Sequence, residues 1–430
     1  MGALLTASIL AAILLSLIVF ATYASINDTV TVVGKNAAPS IVATDHLQAL
    51  AASADANALN AVVTHSAPDE YSWSQYRKDI SASFEALTTA SQSITYGFQQ
   101  SGPIQTMESK LSQYDNVMGQ LQVQNAANIA SDPIAGHTIM SQTILPARLA
   151  LVQADYDHLN QQYNGHRQAI GLLMVLVWIA FLLLLGVLVG TQVYLFRHTH
   201  RIVNRGYAIA TVITLGCMIF TLGALNGGES QLATAKQQSF DSINTLWSVR
   251  AIAFSMSADE SLYLLNAQNP QALAQVENEF THYQQQIIAI DPQQALADTK
   301  KGVAFGGYLG EQLSRSTYHG EGDAVHQAIQ MFASYIAIDT QVRQLLASGN
   351  IQQAQALVLG FNPGESALTF TQFDSAMWNA IDINQFQFDR QIDNAFGSLG
   401  PVPYILGITL IAIVVATIIG MKRRLDEYSV

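Results

Sequence analysis

The chain has 430 residues, of which half are hydrophobic and only 12% are charged. Soluble globular domains carry about 25% charged residues, so this composition excludes an ordinary soluble domain. The net charge of −12 argues against a nucleic acid partner, because nucleic acids bind basic surfaces.

Four apolar runs contain no Asp, Glu, Lys or Arg, and they cover residues 4–26, 169–196, 207–225 and 404–421. Each is about as long as the 17–25 residues of a membrane-spanning helix, and the second is longer. A helix is the expected form, because hydrocarbon offers no partner to an open backbone group. The first run lacks the basic start of a signal peptide and is too long for one, although a small-residue site at 21–24 leaves cleavage open. We expect a retained anchor.

Positive charge is concentrated in two short islands beside these runs. The islands consist of Arg197, Arg201 and Arg205 in the stretch RHTHRIVNRG, and of Lys422, Arg423 and Arg424 after the fourth run. Short cytoplasmic loops carry excess Lys and Arg, so both islands and both termini are predicted to be cytoplasmic. The islands either set this topology and contact anionic lipids, or also dock a cytoplasmic partner.

The two long segments outside the membrane show helical periodicity. Apolar residues alternate at spacings of three and four in three seams: Ile104, Met107, Leu111, Tyr114, Met118 and Leu121; Leu145, Leu149, Val152, Tyr156, Leu159 and Tyr163; and Leu273, Val276, Phe280, Tyr283, Ile287 and Ile290. Such seams are typical of antiparallel helical bundles. We predict core packing for the aromatic residues on them.

Helix breakers divide both segments into about four helices each. The breaks are expected at Pro68, 101–103 and 132–136, and at 269–270, 306–307, 319–320, 348–350 and 362–364. From about residue 147 no strong breaker precedes the second span, so one helix is expected to continue into the membrane. Such a rod could transmit a piston or rotation movement.

The predicted layout has transmembrane helices at 1–26, 169–196, 207–225 and 404–421, extracytoplasmic four-helix bundles at 27–168 and 226–403, a basic cytoplasmic loop at 197–206 and a cytoplasmic tail at 422–430. The single cysteine, Cys217, lies in the third span, so no disulfide can stabilise the bundles. The tripeptide Ser-Ala-Asp ends at Asp55 and occurs again ending at Asp259, 204 residues later. The third span likewise begins about 203 residues after the first. These offsets predict an internal duplication.

Motifs for catalysis are absent from the sequence. It contains no phosphate-binding loop, dinucleotide fingerprint, nucleophile elbow or HExxH pair, so we expect neither an enzyme nor a cofactor. His319, Glu321, Asp323 and His326 could bind a metal, but the two acids are better explained as caps of the following helix. Transport is disfavoured, because no span contains a charged residue.

Six residues outside the membrane are candidate contacts for a ligand or a partner. They are Asp55 and Asp259 among small residues, and Arg77, Arg148, Arg250 and Arg343, since arginine binds carboxylates bidentately. The alternatives are helix packing for the acids and exposed surface charge for the arginines.

Several stretches resemble the actinobacterial GlnX-type membrane proteins, whose paired spans and outer bundles are similar to chemoreceptor sensor modules. They are SADANALNAV, YRKDISASFEAL, ILPARLAL, RHTHRIVNRGYAIAT, SGNIQQAQALV and SALTFTQFDSAMW. The resemblance implies a link between an outer amino-acid-binding lipoprotein and a cytoplasmic serine/threonine kinase that adjusts glutamate and nitrogen metabolism. The resemblance identifies no ligand-binding residues in this sequence. The inner pieces are too short to form a kinase or a signalling rod, so a relay would act by contact.

The sequence therefore predicts an all-α, four-span bacterial plasma-membrane protein that senses or relays an extracytoplasmic signal. Its expected partners are membrane lipids, a solute-binding lipoprotein, a cytoplasmic serine/threonine kinase and further copies of itself. The competing hypotheses are a cell-surface scaffold that assembles through its bundles, and a direct receptor for a small molecule. The ligand and the partners stay open.

Overall fold

A computed structural model describes residues 2–64, 70–92, 98–123, 132–199 and 204–425. These ranges are almost entirely helical and contain no strand. The predicted all-α class is confirmed.

The first half of the chain forms six helices in the described ranges. They are α1 (Gly2–Thr31), α2 (Ala38–Thr64), α3 (Tyr71–Gln92), α4 (Phe98–Val123), α5 (Asp132–Ile139) and α6 (Leu145–Thr199). Short π-helical segments join α1 to α2 at Val32–Ala37 and α5 to α6 at Met140–Ile144.

The second half forms nine helices in the described ranges. They are α7 (Arg205–Thr234), α8 (Asp241–Leu265), α9 (Pro270–Ile287), α10 (Pro292–Lys301), α11 (Tyr308–Arg315), α12 (Glu321–Ala347), α13 (Ile351–Leu359), α14 (Ser366–Leu399) and α15 (Val402–Leu425). A third π-helical segment, Ala235–Phe240, joins α7 to α8.

The chain divides into two compact units. Unit 1 consists of Met1–Lys35, Leu159–Lys236 and Asp389–Val430, and unit 2 of Asn36–His158 and Gln237–Phe388. Both long segments between the predicted spans thus contribute to unit 2. Their description as two separate four-helix bundles stays a prediction.

Unit 1 contains the apolar helices. Within the described residues, four helical stretches are long and apolar enough to cross a membrane, and the predicted runs lie within α1, α6, α7 and α15. Val19, Phe181 and Tyr207 are among the side chains that fill the core of this unit. Leu17, Ile219 and other large apolar side chains stay exposed on the same helices, as expected of surfaces that face lipid. These four helices indicate a membrane protein.

Helices α7 and α15 are in close contact next to the two basic islands. The Asn204 side chain accepts a hydrogen bond from the Gly206 backbone N–H at 3.0 Å and thereby caps α7. The Asn204 amide donates to the Gly420 carbonyl at 2.9 Å. A Cβ atom added at Gly206 would lie 2.6 Å from the Gly420 Cα atom. Only glycine fits here, as at many close contacts between membrane helices.

A Gly206→Ala substitution should lower the thermal stability of the detergent-solubilised protein, by about 1–3 kcal/mol, because the added methyl group must push α15 away. Gly216, on the same helix, has open space around its Cα atom and is the matched control. Gly216→Ala should be neutral or should stabilise by up to about 1 kcal/mol through helix propensity. Equal melting temperatures for the two variants would contradict the close contact.

Unit 2 contains most of the predicted seams. All six residues from Ile104 to Leu121 in the first seam are buried. Leu149 in the second seam is 54% exposed, so its prediction as a core residue is wrong. Leu151 is 1% exposed and fills the core, and the buried Arg148 takes the inward position beside Leu149. In the third seam Val276, Phe280 and Ile287 are buried.

The predicted helix breaks are confirmed in the second segment and partly wrong in the first. Asn269 caps α9, and Gly320 precedes α12 with a φ of 83°, a backbone conformation that glycine adopts without strain. The break predicted at 101–103 is wrong, because Pro103 lies inside α4. It is the sixth residue of α4, so the helix gives up one backbone hydrogen bond there. Pro68 lies outside the described residues.

The continuous helix predicted from about residue 147 is confirmed. α6 has 55 residues, which corresponds to about 80 Å at 1.5 Å per residue. It contributes residues to both units, as do the helical stretches Gly2–Thr64 and Arg205–Leu265.

Candidate functional site

Unit 2 encloses a cavity of about 630 Å³ between its two segments. This volume is within the range of about 300–1,000 Å³ that small-molecule sites occupy. One wall comes from α2 and α3, and the other from α8 and α14 with the loop before it. Polar groups on both walls therefore face the same space.

Arg250 on α8 is the central cation of the cavity. It is 8% exposed, and its Nε and Nη2 atoms donate to the two carboxylate oxygens of Asp374 at 2.5 and 3.1 Å. Its guanidinium group lies 4.4 Å from the ring centre of Trp378 and 5.4 Å from that of Phe254. This bidentate pair uses two of the five donors of the guanidinium group. The arrangement fixes the charge in place against an aromatic wall.

Aromatic rings continue around this arginine. Trp247 and Trp378 meet edge to face with ring centres 4.9 Å apart, and the His46 ring lies 4.9 Å from that of Trp247. Burial, together with the charge of Arg250, lowers the pKa of His46, so this histidine is neutral at physiological pH. The histidine adds a hydrogen-bonding group to the cavity but no positive charge.

Two acids face the cavity from opposite walls. Asp79 on α3 accepts hydrogen bonds from the Ser53 hydroxyl at 2.7 Å and from the Asn57 amide at 3.1 Å. Burial raises the pKa of Asp79, and these hydrogen bonds oppose the rise. Glu260 on α8 accepts from the Ser366 hydroxyl at 3.0 Å, and burial raises its pKa well above the ordinary value. A bound cation would stabilise both carboxylates, because it would replace the hydration that they lose on burial.

A second polar cluster lies in unit 2 around His137 on α5. Its Nδ1 atom lies 2.6 Å from the Asp55 Oδ2 atom, and the Tyr114 hydroxyl donates to the Asp55 Oδ1 atom at 3.0 Å. Burial lowers the pKa of His137, but Asp55 and Asp259 more than offset this and raise it to about 9. The structure thus brings the two predicted aspartates to one histidine. Neither lines the cavity.

Two of the candidate arginines form ion pairs within unit 2 that do not belong to the cavity. Arg148 is 2% exposed and pairs through Nη2 with Asp45, which is fully buried. Arg343 donates from Nε to Asp339 at 2.7 Å and lies 4.7 Å from the Phe280 ring centre. The prediction of exposed surface charge is wrong for both.

Arg77 is exposed on α3. Of the basic islands, Arg197, Arg205 and Lys422 are exposed at helix ends, and Arg423 and Arg424 belong to the last turn of α15. Arg201 lies outside the described residues. The three described side chains of the islands are therefore accessible to lipid headgroups or to a partner.

Glu321 acts as a structural acid at the start of α12. Its Oε2 atom accepts from the backbone N–H groups of Thr317 and Tyr318 at 3.0 and 3.1 Å, and its Oε1 atom accepts from Asn384 at 2.9 Å. His319, Asp323 and His326 are exposed. Glu321 thus fixes the turn before α12 and does not cap the helix itself, and both acids lie in the first turn, where they complement the helix dipole.

Sequence reasoning missed Asp79, Glu260 and His137. Asp79 and Glu260 look like ordinary helix charges, and they become cavity residues only because α2 and α8 pack side by side. His137 is 82 residues from Asp55. The available sequence signal was the spacing of Tyr76 and Ile80, which lie one helical turn apart and place Asp79 beside the inward face of α3, where both are buried.

Comparison with known families identifies one match: residues 29–164 match the model of the Actinobacterial sensor domain. The match covers α2 to α5 and one wall of the cavity. No curated protein and no solved structure matches the chain. The family match indicates a sensing role for this part of the protein.

Proposed function

We propose that the protein is a transmembrane sensor that binds a small extracytoplasmic ligand in the cavity of unit 2 and relays its binding to a cytoplasmic partner. The observation that carries the proposal is the cavity itself. Half of its lining, from His46 to Ala82, belongs to the stretch that matches a sensor domain. The other half, from Arg250 to Trp378, comes from the second segment. A ligand in this space would contact both segments.

The lining favours a ligand with an amino group. Asp79 and Glu260 are buried acids that a ligand cation would pair with. A ligand carboxylate would find the guanidinium group of Arg250 on the same cavity. Amino acids combine both groups, whereas aliphatic diamines would pair with the two acids alone.

The long helices support the relay part of the proposal. The first two chain segments of unit 1 end at Lys35 and at Lys236, and both residues lie within π-helical segments. Such segments are rare and often mark functional sites. Ligand-dependent changes in these helices would reach the Arg197–Arg205 and Lys422–Arg424 islands, where a soluble partner such as a serine/threonine kinase would read them. An outer binding lipoprotein could deliver the ligand.

An internal duplication gives this design a simple origin. α1 and α7 end at residues that are 203 apart, and the π-helical segments after them and then α2 and α8 begin at the same offset. Equal offsets in three successive elements support a duplicated span and first bundle helix. The two copies provide opposite walls of the cavity.

Calorimetric titration of the common amino acids and aliphatic diamines into the full-length protein in lipid nanodiscs tests the proposal. We expect at least one compound to bind, and Asp79→Asn to weaken its affinity at least about tenfold, because about 1.4 kcal/mol of charge pairing is lost. Glu85→Gln is the matched control, since Glu85 is exposed on the same helix and away from the cavity. Equal affinities for the two variants would contradict the site. No binding by the whole panel would favour the scaffold hypothesis.

A further inference from the structure

Three potential metal ligands converge in unit 2 away from the cavity. His137 on α5, Asp259 on α8 and Glu279 on α9 each offer a ligand atom, and these atoms all lie within 4.8 Å of one another. The residues come from three helices and from both segments of the unit. The tertiary structure, and no local motif, therefore brings them together.

Asp259 lacks a partner for one of its oxygens. The residue is 1% exposed, and its Oδ2 atom makes no hydrogen bond within the described part of the chain. Native structures leave few buried carboxylate oxygens unsatisfied, because desolvation without a partner is costly. A cation in the cluster would satisfy this oxygen.

His137 is held in the orientation that metal-binding histidines adopt. Its Nδ1 atom is engaged by Asp55 at 2.6 Å, and Asp55 is itself held by the Tyr114 hydroxyl at 3.0 Å. A carboxylate on one ring nitrogen fixes the ring and leaves the other nitrogen, Nε2, for the metal. Asp55 would thus act as a positioning residue, and its counterpart Asp259 as a direct ligand.

We propose that His137, Asp259 and Glu279 bind a divalent transition-metal ion such as zinc, with Asp55 orienting the histidine. One imidazole nitrogen and two carboxylate oxygens suit zinc and its neighbours, whereas calcium and magnesium prefer oxygen ligands alone. Three protein ligands leave a coordination position open to water. The ion would bridge the two segments of unit 2.

The cluster needs only a small contraction to close on the ion. Zinc with bonds of about 2.0–2.2 Å holds tetrahedral ligands roughly 3.4 Å apart. Glu279 is partly exposed, so its side chain can rotate inwards without disturbing the core. Asp259 and the paired His137 keep their positions.

The test uses the full-length protein in detergent, carrying a tag without histidine and stripped with a chelator. Titration with Co²⁺ alone should give a visible d–d absorption that saturates at one ion per chain, and Zn²⁺ should displace the Co²⁺. Glu279→Gln should weaken Co²⁺ binding at least about 100-fold, and Asp55→Asn roughly 10–100-fold. Glu277→Gln, an exposed acid on the same helix, should leave binding unchanged.

Asp259→Asn separates binding from folding. The substitution removes one metal ligand, and it also removes the cost of a buried carboxyl group. The metal-free variant should therefore keep the melting temperature of the metal-free wild type, whereas the increase in melting temperature that Zn²⁺ causes should disappear. Failure of Co²⁺ to bind the stripped wild-type protein would overturn the site. Undiminished binding in both Glu279→Gln and Asp259→Asn would overturn it as well.

Discussion

Replacing Arg148 with methionine should destabilise the protein by about 3–5 kcal/mol at pH 8, because it leaves the buried carboxylate of Asp45 without its counter-charge. Arg148 is 2% exposed, Asp45 is fully buried, and the two side chains form an ion pair. The exposed Arg390 provides the control: Arg390→Met should change stability by no more than about 0.5 kcal/mol. Chemical denaturation of the purified protein measures both effects.

The cost of Arg148→Met should shrink as the pH falls. Burial raises the pKa of Asp45 to about 7 in the folded protein, although Arg148 opposes the rise. In the unfolded chain Asp45 releases its proton near pH 4. Between about pH 4 and 7 the folded state therefore binds more protons than the unfolded state. The contribution of Asp45 to stability thus falls as the pH rises through this range. Removing Arg148 raises the folded pKa further, so the variant should be less impaired at pH 5 than at pH 8.

A double variant tests the same pair from the other side. Asp45→Asn together with Arg148→Met removes both charges, so it should recover a large part of the lost stability and flatten the pH dependence. A double variant as unstable as Arg148→Met at both pH values would show that the arginine stabilises by packing instead of by pairing.

Replacing Arg250 with leucine should abolish ligand binding in the cavity, with a loss of about 100-fold or more. The change removes the only cation among the buried residues of its lining and frees Asp374, which its Nε and Nη2 atoms hold. It should also lower stability by about 1–3 kcal/mol, since a charge-assisted pair and the stacking on Trp378 are lost.

Arg250→Lys distinguishes recognition from simple charge. Lysine keeps the positive charge but cannot form a bidentate pair or stack as a plane, so we expect an intermediate loss of affinity with most of the stability retained. Calorimetric titration and thermal unfolding of the same samples measure both quantities. Wild-type affinity in Arg250→Leu would contradict the assignment of the cavity as the ligand site.

The apolar runs and one helical seam were predictable because they depend on local spacing. The span positions follow from runs without charge, and all residues of the Ile104–Leu121 seam are buried as the 3,4 spacing requires. The breaks at Asn269 and Gly320 follow from capping and turn chemistry. Leu149 is exposed because the buried Arg148 takes the inward position beside it, and apolar spacing cannot predict a buried charge.

The sites were far less predictable, because they depend on contacts between distant helices. Arg250, Arg148 and Arg343 look alike in the sequence, yet the first lines the cavity and the others form ion pairs elsewhere. The matching sequence positions of Asp55 and Asp259 pointed to a shared role, but His137 and Glu279 join them only through packing. Burial of a charged group is a property of the tertiary fold, and the spacing of neighbours does not encode it.

The central claim is that a ligand bound in unit 2 alters the basic islands, and disulfide crosslinking tests it most directly. Cysteines replace Arg205 and Lys422 in a Cys217→Ala background, since both residues are exposed and Cys217 is the only native cysteine. The rate of disulfide formation is measured in membranes with and without the compound that the titration identifies. The account predicts a several-fold change in rate on ligand addition that disappears in Arg250→Leu. An identical rate at saturating ligand would contradict it.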